Sequence, residues 1–170
     1  MTEKRSPKDV LRRVRGMMAA GQLGEELMRQ RGVVGTPLMV SQPRGGPHSW
    51  LVPVTIKHHM VGYLQLDCNL LLIRQVSFRR RSDSFEGVPD AADWLDPDRV
   101  LRRAAEFAMP NEDLGKPVLT YDRFPDRLAW RIKARSPAGT IRNIMVAGRS
   151  AWEQDDPEDT DEGPRVRVGE

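Results

Sequence analysis

The segment DPDRVLRR, from Asp96 to Arg103, repeats with few changes the segment SPKDVLRR, from Ser6 to Arg13. Each segment begins with a side chain that can accept hydrogen bonds from the amides of a first helical turn, as N-cap residues do. A proline follows at once in both, at the first helical position, where its missing N–H costs nothing. The two segments therefore predict the beginnings of two similar helices.

Each predicted helix carries one apolar stripe at helical spacing. The stripe residues are Val10, Leu11, Val14, Met17 and Met18 in the first helix, and Val100, Leu101, Ala104, Ala105 and Ala108 in the second. The first helical region is expected to continue, with a break near residues 21–24, to Gly32 as a C′ glycine. Pro110 is expected to end the second helix.

Matching phrases follow the two helices at a constant offset of eighty residues. GTPLMV begins at Gly35 and GKPVLT at Gly115, and Trp50 in SWLVPVTI corresponds to Trp130 in AWRIKARS. Alternation of apolar and polar residues after each tryptophan indicates a half-buried strand. Further strands are predicted from YLQLD and LLLIRQVSF in the first half and from TIRNIMV in the second. The pattern predicts an α+β fold of two repeated units, each a helix packed on a three- to four-stranded antiparallel sheet.

The repeat divides the chain into four parts. Residues 1–81 form the first αβ repeat, 82–95 a linker, and 96–153 the second αβ repeat. Residues 154–170 have almost nothing to bury and are expected to be a disordered acidic tail.

Charge is unevenly distributed along the chain. From Glu153 to Glu170 there are eight acidic residues and two arginines, a formal charge of −6, whereas residues 1–152 carry +9. Such a basic body either is screened by its own tail or meets an acidic partner. The single cysteine, Cys68, suits a reducing compartment, and the N-terminus lacks the apolar segment of a signal peptide. These features indicate a soluble cytoplasmic protein.

The two halves resemble PepSY-like modules arranged in tandem. The resemblance is carried by SWLVPV with GYLQLD in the first half and by PVLTYDRFPDRLAWRI with TIRNIMV in the second, and covers residues 6–80 and 96–153. The usual Asp-x-x-x-Gly ending is absent from the second half, which reads MVAGRS. The resemblance implies a non-catalytic protein that binds or inhibits other proteins, and it supplies no catalytic residues.

Residues able to support catalysis or bind metal are scattered. The candidates are His48, His58, His59, the thiol of Cys68, and a carboxylate pair of Asp67 with Asp122 or Asp126. The histidines lie at strand ends and in a turn, the aspartates lie in turn-like contexts, and the thiol is expected to be buried or incidental. We therefore predict no metal, no cofactor and no enzymatic activity. An enzyme whose residues are too dispersed to recognise remains an alternative.

The outward faces of the two tryptophan-bearing strands differ in character. Leu51 and Pro53 form an apolar patch on the first, and Arg131, Lys133 and Arg135 form a basic row on the second. The apolar patch must be covered by the other half of the chain, by a second subunit or by a partner.

These five residues are the predicted partner-binding site of a non-enzymatic protein-binding module of the adaptor, inhibitor or regulator type. The alternative is a sheet-based nucleic-acid binder that uses the basic surface. The partner and the oligomeric state are not specified by the sequence.

Overall fold

The computed structural model describes residues 5–78, 80 and 84–154 of the chain. Within them the protein has an α+β fold with two antiparallel sheets of five strands each and four helices. The tail was predicted to begin at Gln154, but Gln154 is the last residue of a strand. The rest of the predicted tail, 155–170, lies outside the described residues.

The first sheet and its helices come from the N-terminal half of the chain. The elements are α1 (Pro7–Ala19), α2 (Glu25–Arg29), β1 (Val33–Val34), β2 (Leu38–Ser41), β3 (Pro47–Ile56), β4 (His59–Asp67) and β5 (Leu72–Ser77). β1 and β2 both pair with β3, which pairs with β4, and β4 pairs with β5.

The second sheet has the same strand order. Its elements are α3 (Ala91–Leu95), α4 (Pro97–Phe107), β6 (Asp113–Leu114), β7 (Val118–Tyr121), β8 (Leu128–Arg135), β9 (Ile141–Ala147) and β10 (Ser150–Gln154). β6 and β7 both pair with β8, and β9 and β10 follow in order. Each sheet thus has more strands than the three or four predicted. The extra strands, β1 and β6, are two residues long, too short to produce a periodic pattern.

The predicted helix starts are confirmed. Ser6 and Asp9 form a capping box on α1, in which the Ser6 N–H donates to the Asp9 carboxylate at 2.9 Å and the Asp9 N–H donates to Ser6 Oγ at 3.3 Å. At α4 the Asp96 carboxylate accepts a hydrogen bond from the Asp98 N–H at 2.9 Å. Both caps satisfy amides that the first helical turn leaves free.

The predicted role of Gly32 is wrong. The residue with positive φ after α2 is Arg31, at φ 52°, and Gly32 is not in this conformation. A Cβ atom at Gly32 would lie 2.5 Å from Cγ1 of Val54 and 3.1 Å from the carbonyl oxygen of Thr55. Glycine is therefore needed here because the chain passes close to β3, not because it ends a helix.

The protein has two core clusters, one within the first half and one formed mainly by the second half with residues of the first sheet. Val10, Val14 and Met17 of α1 pack in one cluster with Trp50 and its neighbours on β3 and β4. The second cluster joins α4 to the Trp130 face of β8 and β9, and its members are Val40, Leu51, Val100, Ala104, Leu119, Trp130, Ile132, Ala134, Ile144 and Val146. Because Val40 and Leu51 belong to the first sheet, its face opposite α1 packs against the second half.

Hydrogen bonds also link the halves where β2 and β7 lie side by side. Thr120 Oγ1 donates to the Ser41 carbonyl at 2.8 Å, and the Arg131 guanidinium donates to the Pro43 carbonyl. Thr120 is 1% exposed, so its bond is protected from competing water.

The connection between the sheets packs on both of them. Phe85 and Val88 pack in the first core cluster, and the carbonyl of Trp94 in α3 accepts a hydrogen bond from Trp130 Nε1 at 2.8 Å. No helix among the described residues combines the length and the apolar character that crossing a membrane requires.

Candidate functional site

A cavity of about 540 Å³ lies between the first sheet and the second half of the chain. Its lining is mainly apolar and comes from both halves. The lining residues are Leu51, Met60, Tyr63, Val76, Phe78, Trp94, Leu95, Leu119, Asp122, Asp126, Arg127, Leu128, Ala147 and Trp152. We call this cavity the cleft.

The wall from the first half follows from strand register. Tyr63 on β4 pairs with Pro53 on β3 and with Val76 on β5, and Leu51 lies two residues from Pro53. Side chains two apart in a strand share a face, so these residues lie opposite the Trp50 face that packs against α1. The cleft therefore uses the sheet face that α1 leaves free.

The wall from the second half depends on a close approach at Gly148. This residue has φ 58°, and a Cβ atom there would lie 2.9 Å from Nε1 of Trp94. The glycine therefore lets the indole ring of Trp94 approach the backbone just after Ala147. Any larger residue at this position would combine backbone strain with a steric clash.

Hydrogen bonds between polar side chains fix one edge of the cleft. The Asp122 carboxylate accepts hydrogen bonds from Trp152 Nε1 at 3.1 Å and from Gln154 Nε2 at 2.6 Å. These bonds tie the loop after β7 to β10 and fix the ring of Trp152, which lines the cleft.

Arg74 connects the two halves beside the cleft. Its Nη2 donates to the Tyr63 hydroxyl at 2.6 Å and to the Asp126 carbonyl at 3.3 Å. Its Nε atom is buried and has no hydrogen-bond partner among the described residues. Burial raises the pKa of Tyr63, so the phenol is neutral at ordinary pH.

A cleft of this kind has the properties of a small-molecule site. Ligand pockets have volumes of roughly 300–1,000 Å³ and are lined mainly by apolar and aromatic side chains, with a few polar groups that fix orientation. Here Trp94, Trp152, Phe78 and Tyr63 supply aromatic surface, and Tyr63 also supplies a hydroxyl.

The apolar part of the predicted partner-binding site is covered by the chain itself. Leu51 is 5% exposed and belongs to the second core cluster, and Pro53 is also buried. Of the three coverings considered for this patch, the folded chain uses its own second half. Leu51 and Pro53 are therefore not available as an outer contact surface, although Leu51 lines the cleft.

The basic row of the predicted site remains accessible in part. Lys133 and Arg135 are exposed, whereas Arg131 is half-buried and donates to the Pro43 carbonyl. None of the three forms a salt bridge with another described residue. Arg131 thus holds the two halves together, and the other two cations face solvent.

His58 and His59 lie next to each other, and His48 has partners of its own. His59 stacks on Phe85 with ring centroids 4.2 Å apart, and His58 lies 4.0 Å from His59. His48 Nδ1 lies 2.9 Å from Ser49 Oγ. Among the residues that the structure describes, no three His, Cys, Asp or Glu side chains form a group that could hold a metal ion.

The cysteine and the aspartates have local structural partners. Cys68 Sγ donates to the His48 carbonyl at 3.4 Å. The Asp67 carboxylate accepts from the N–H groups of Asn69 and Leu71, both at 2.8 Å, as expected for an aspartate that stabilises a turn.

Several cleft residues were not singled out from the sequence as site residues. Tyr63 lies in the predicted strand YLQLD, Trp94 lies in the predicted linker 82–95, and Trp152 lies near the end of the predicted second repeat. Alternation along β4 could have placed Tyr63 on the Leu51 face, but alternation carries no information about what covers that face.

Comparison with protein families, with curated proteins and with solved structures finds no significant match to this chain. The resemblance to tandem PepSY-like modules therefore stays a prediction.

Proposed function

We propose that this protein is a non-enzymatic binding protein that holds a small, largely apolar molecule in the cleft. The supporting observation is the cavity of about 540 Å³, with walls contributed by both halves of the chain. A ligand in this position would contact the two sheets at once, and so binding would stabilise their packing.

The binding free energy would come mainly from aromatic and aliphatic contact. Burial of apolar surface contributes roughly 25 cal/mol per Å², and the indole rings of Trp94 and Trp152 offer the largest such surfaces. The hydrogen bond that Trp152 donates to Asp122 fixes its ring before a ligand arrives. A pre-formed wall reduces the entropy lost on binding.

A neutral fluorescent probe, N-phenyl-1-naphthylamine, tests this proposal. The wild-type protein should bind the probe saturably with a rise in probe fluorescence. Ala147→Phe places a ring inside the cleft, and we expect it to weaken probe binding at least about tenfold. Ala138→Phe makes the same change at an exposed turn and should bind like the wild type. Equal affinities of the two variants would place the probe elsewhere and contradict the proposal.

We further propose that the two halves are copies of one helix-on-sheet unit, as the sequence repeat predicts. Strand pairing supports this, because Trp50 pairs with Leu66 in the first sheet and Trp130 with Val146 in the second, again eighty residues apart.

A second pair of bonds has the same offset. The Gly35 N–H donates to the Pro53 carbonyl at 2.8 Å, and the Gly115 N–H donates to the Lys133 carbonyl, also at 2.8 Å. The proposed resemblance to PepSY-like modules requires that each half contains this helix-on-sheet unit. A crystal structure in which the backbone of 33–66 does not superpose on that of 113–146 would contradict the duplication.

Binding of another protein at the basic row is a second candidate function. The supporting observation is that Lys133 and Arg135 point to solvent without an acidic partner among the described residues. Charges on such a face would accelerate association with an acidic surface and set its specificity. In this role the protein would act as a cytoplasmic adaptor, inhibitor or regulator.

Charge reversal separates this candidate from the cleft. Lys133→Glu with Arg135→Glu should abolish capture of a cellular protein partner while leaving probe binding in the cleft unchanged. Lys8→Glu with Arg15→Glu makes the same change in charge on the exposed face of α1 and serves as the control. Capture that survives the first pair of substitutions would remove the basic row from consideration.

The nucleic-acid alternative has less support from the fold. Sheet-based binders stack bases on exposed aromatic side chains. Trp50 and Trp130 are only 6% and 5% exposed and lie in the two cores. Affinity for RNA or DNA that falls steeply with salt, and that the Lys133 and Arg135 reversal removes, would nevertheless assign the row to phosphate contacts.

A further inference from the structure

The O–H of Tyr63 donates no hydrogen bond to any residue that the structure describes. Its oxygen accepts a hydrogen bond from Arg74 Nη2 at 2.6 Å. A phenol both donates and accepts, and bonding to a cation polarises the hydroxyl and strengthens it as a donor. Tyr63 is one of the residues that line the cleft, and its unused O–H is the donor that we assign to a molecule bound there.

The other polar groups of the cleft either already form hydrogen bonds within the chain or carry charges of opposite sign. The Asp122 carboxylate already accepts from Trp152 and Gln154. Asp122 and Asp126 contribute two negative charges at the lining, and Arg127 with the adjoining Arg74 contributes two positive ones.

Charges of both signs therefore lie in and beside the lining, and no uniform charge is present among the described residues to repay the lost hydration of an ion. A neutral molecule enters without this penalty. Burial also raises the pKa of Tyr63, so its hydroxyl keeps the proton that it would donate.

We infer, on the basis of the proposed binding function, that the cleft takes a neutral apolar molecule bearing one hydrogen-bond acceptor, such as a ketone or ester carbonyl, and that Tyr63 recognises this acceptor. The aromatic and aliphatic wall then holds the body of the ligand, and the Tyr63 hydroxyl fixes its orientation.

Two probes of nearly equal size test the role of the acceptor. 2-Acetylnaphthalene carries a carbonyl group, and 2-ethylnaphthalene has a methylene in its place. Each is measured by its displacement of N-phenyl-1-naphthylamine from the wild-type protein. We expect the ketone to bind about threefold to tenfold more tightly, as one net hydrogen bond allows.

The variant Tyr63→Phe removes the hydroxyl and keeps the ring. In this variant the ratio of ketone affinity to hydrocarbon affinity should fall by about threefold to tenfold, while the affinity for the hydrocarbon stays near that of the wild type. A preference for the ketone that persists undiminished in Tyr63→Phe would overturn the role of Tyr63. The wild-type affinity ratio needs no substitution, so equal binding of the two probes to the wild type would overturn the inference even if the variant failed to fold.

The remaining outcomes separate the inference from the proposed function. Tighter binding of 2-naphthoate than of the ketone would show that the cleft selects an anion, and the neutral class would be wrong. If the ketone and the hydrocarbon displace the probe equally well, the proposed recognition of an acceptor is wrong, but the proposal that the cleft binds apolar molecules still holds. If N-phenyl-1-naphthylamine itself does not bind, both the proposed function and this inference fail.

Discussion

Arg142 donates two hydrogen bonds to the carboxylate of Glu112, from Nε at 2.7 Å and from Nη2 at 2.8 Å. The Glu112 side chain is 5% exposed, and Arg142 also reaches Glu153 at 3.0 Å. This pair fixes the segment after α4 to the middle of the second sheet. Bidentate pairs between arginine and a carboxylate are among the stronger ionic contacts in proteins.

The pair predicts a pH-dependent contribution to stability. The hydrogen bonds from Arg142, with one from the Met109 N–H, lower the pKa of Glu112 from 4.5 to about 2. A carboxyl group whose pKa is lower in the folded state stabilises the fold above its unfolded pKa, and the contribution disappears as the pH falls through the folded pKa. Glu112→Gln should therefore lower the Tm at pH 7, and its Tm difference from the wild type should shrink between pH 4.5 and about 2.

An exposed ion pair provides the matched control. Glu25 and Arg29 on α2 lie 3.0 Å apart with both side chains largely in solvent. Surface pairs of this kind contribute little. Glu25→Gln should leave the Tm almost unchanged across the same pH range, and a loss equal to that of Glu112→Gln would refute the special role of the buried pair.

Substitution by alanine should change the stability of the protein in opposite directions at two glycines. A Cβ atom at Gly62 would lie 2.4 Å from the Val76 carbonyl oxygen and 2.5 Å from Leu27 Cδ1. Gly62→Ala should destabilise the protein by about 1–3 kcal/mol, because strand β5 or helix α2 would have to move. Gly16 lies inside α1 with open space around it, so Gly16→Ala should stabilise the protein by about 0.5–1 kcal/mol. Urea unfolding of both variants measures the two signs.

Loss of the hydrogen bond between Thr120 and Ser41 should weaken the contact between the two halves and lower the stability of the protein. Thr120→Val keeps the shape of the side chain but leaves the Ser41 carbonyl without this donor. We expect a loss of about 1–3 kcal/mol in the free energy of unfolding. Thr140 is exposed, and Thr140→Val serves as the control. Similar small effects of the two substitutions would show that water replaces the Thr120 bond.

Removal of the acidic segment 155–170 predicts a change in surface binding. This segment has seven acidic residues and two arginines, so the remaining residues 1–154 carry a formal charge of +8 in place of +3. The shortened chain should elute from heparin at higher salt than the full chain, because more net positive charge faces the polyanion. Reversal of Lys133 and Arg135 to Glu should cancel part of this shift. An unchanged elution position would show that the segment does not screen the basic surface.

Helix starts and the inward faces of strands could be predicted from the sequence, because they depend on residues close together in the chain. Helix caps depend on side chains within one turn, so Ser6 and Asp96 identified the starts of α1 and α4. Period-two alternation placed Trp50 and Trp130 on faces that pack into the cores. Gly32 was misread because glycine serves both for positive φ and for close approach, and only the position of Val54 distinguishes the two uses.

The cleft could not be predicted because its walls are distant in sequence. Leu51 and Trp152 line the same cavity but belong to different sheets. Alternation showed that Leu51 faces away from Trp50, yet three coverings of that face were compatible with the sequence. The choice depends on the packing of β2 against β7, which is a tertiary contact without a local signature.

The contact between β2 and β7 has a consequence for the history of the chain. The two strands hold corresponding places in the two sheets, and contact between like elements is the arrangement of an isologous dimer. On the proposed duplication, an ancestral single unit would have paired with a second copy of itself through this strand. On the same proposal, Arg131 stands at the position that corresponds to Leu51, eighty residues earlier. The Leu51 position is apolar and lines the cleft, whereas the Arg131 position carries a cation that bonds the Pro43 carbonyl of the other half.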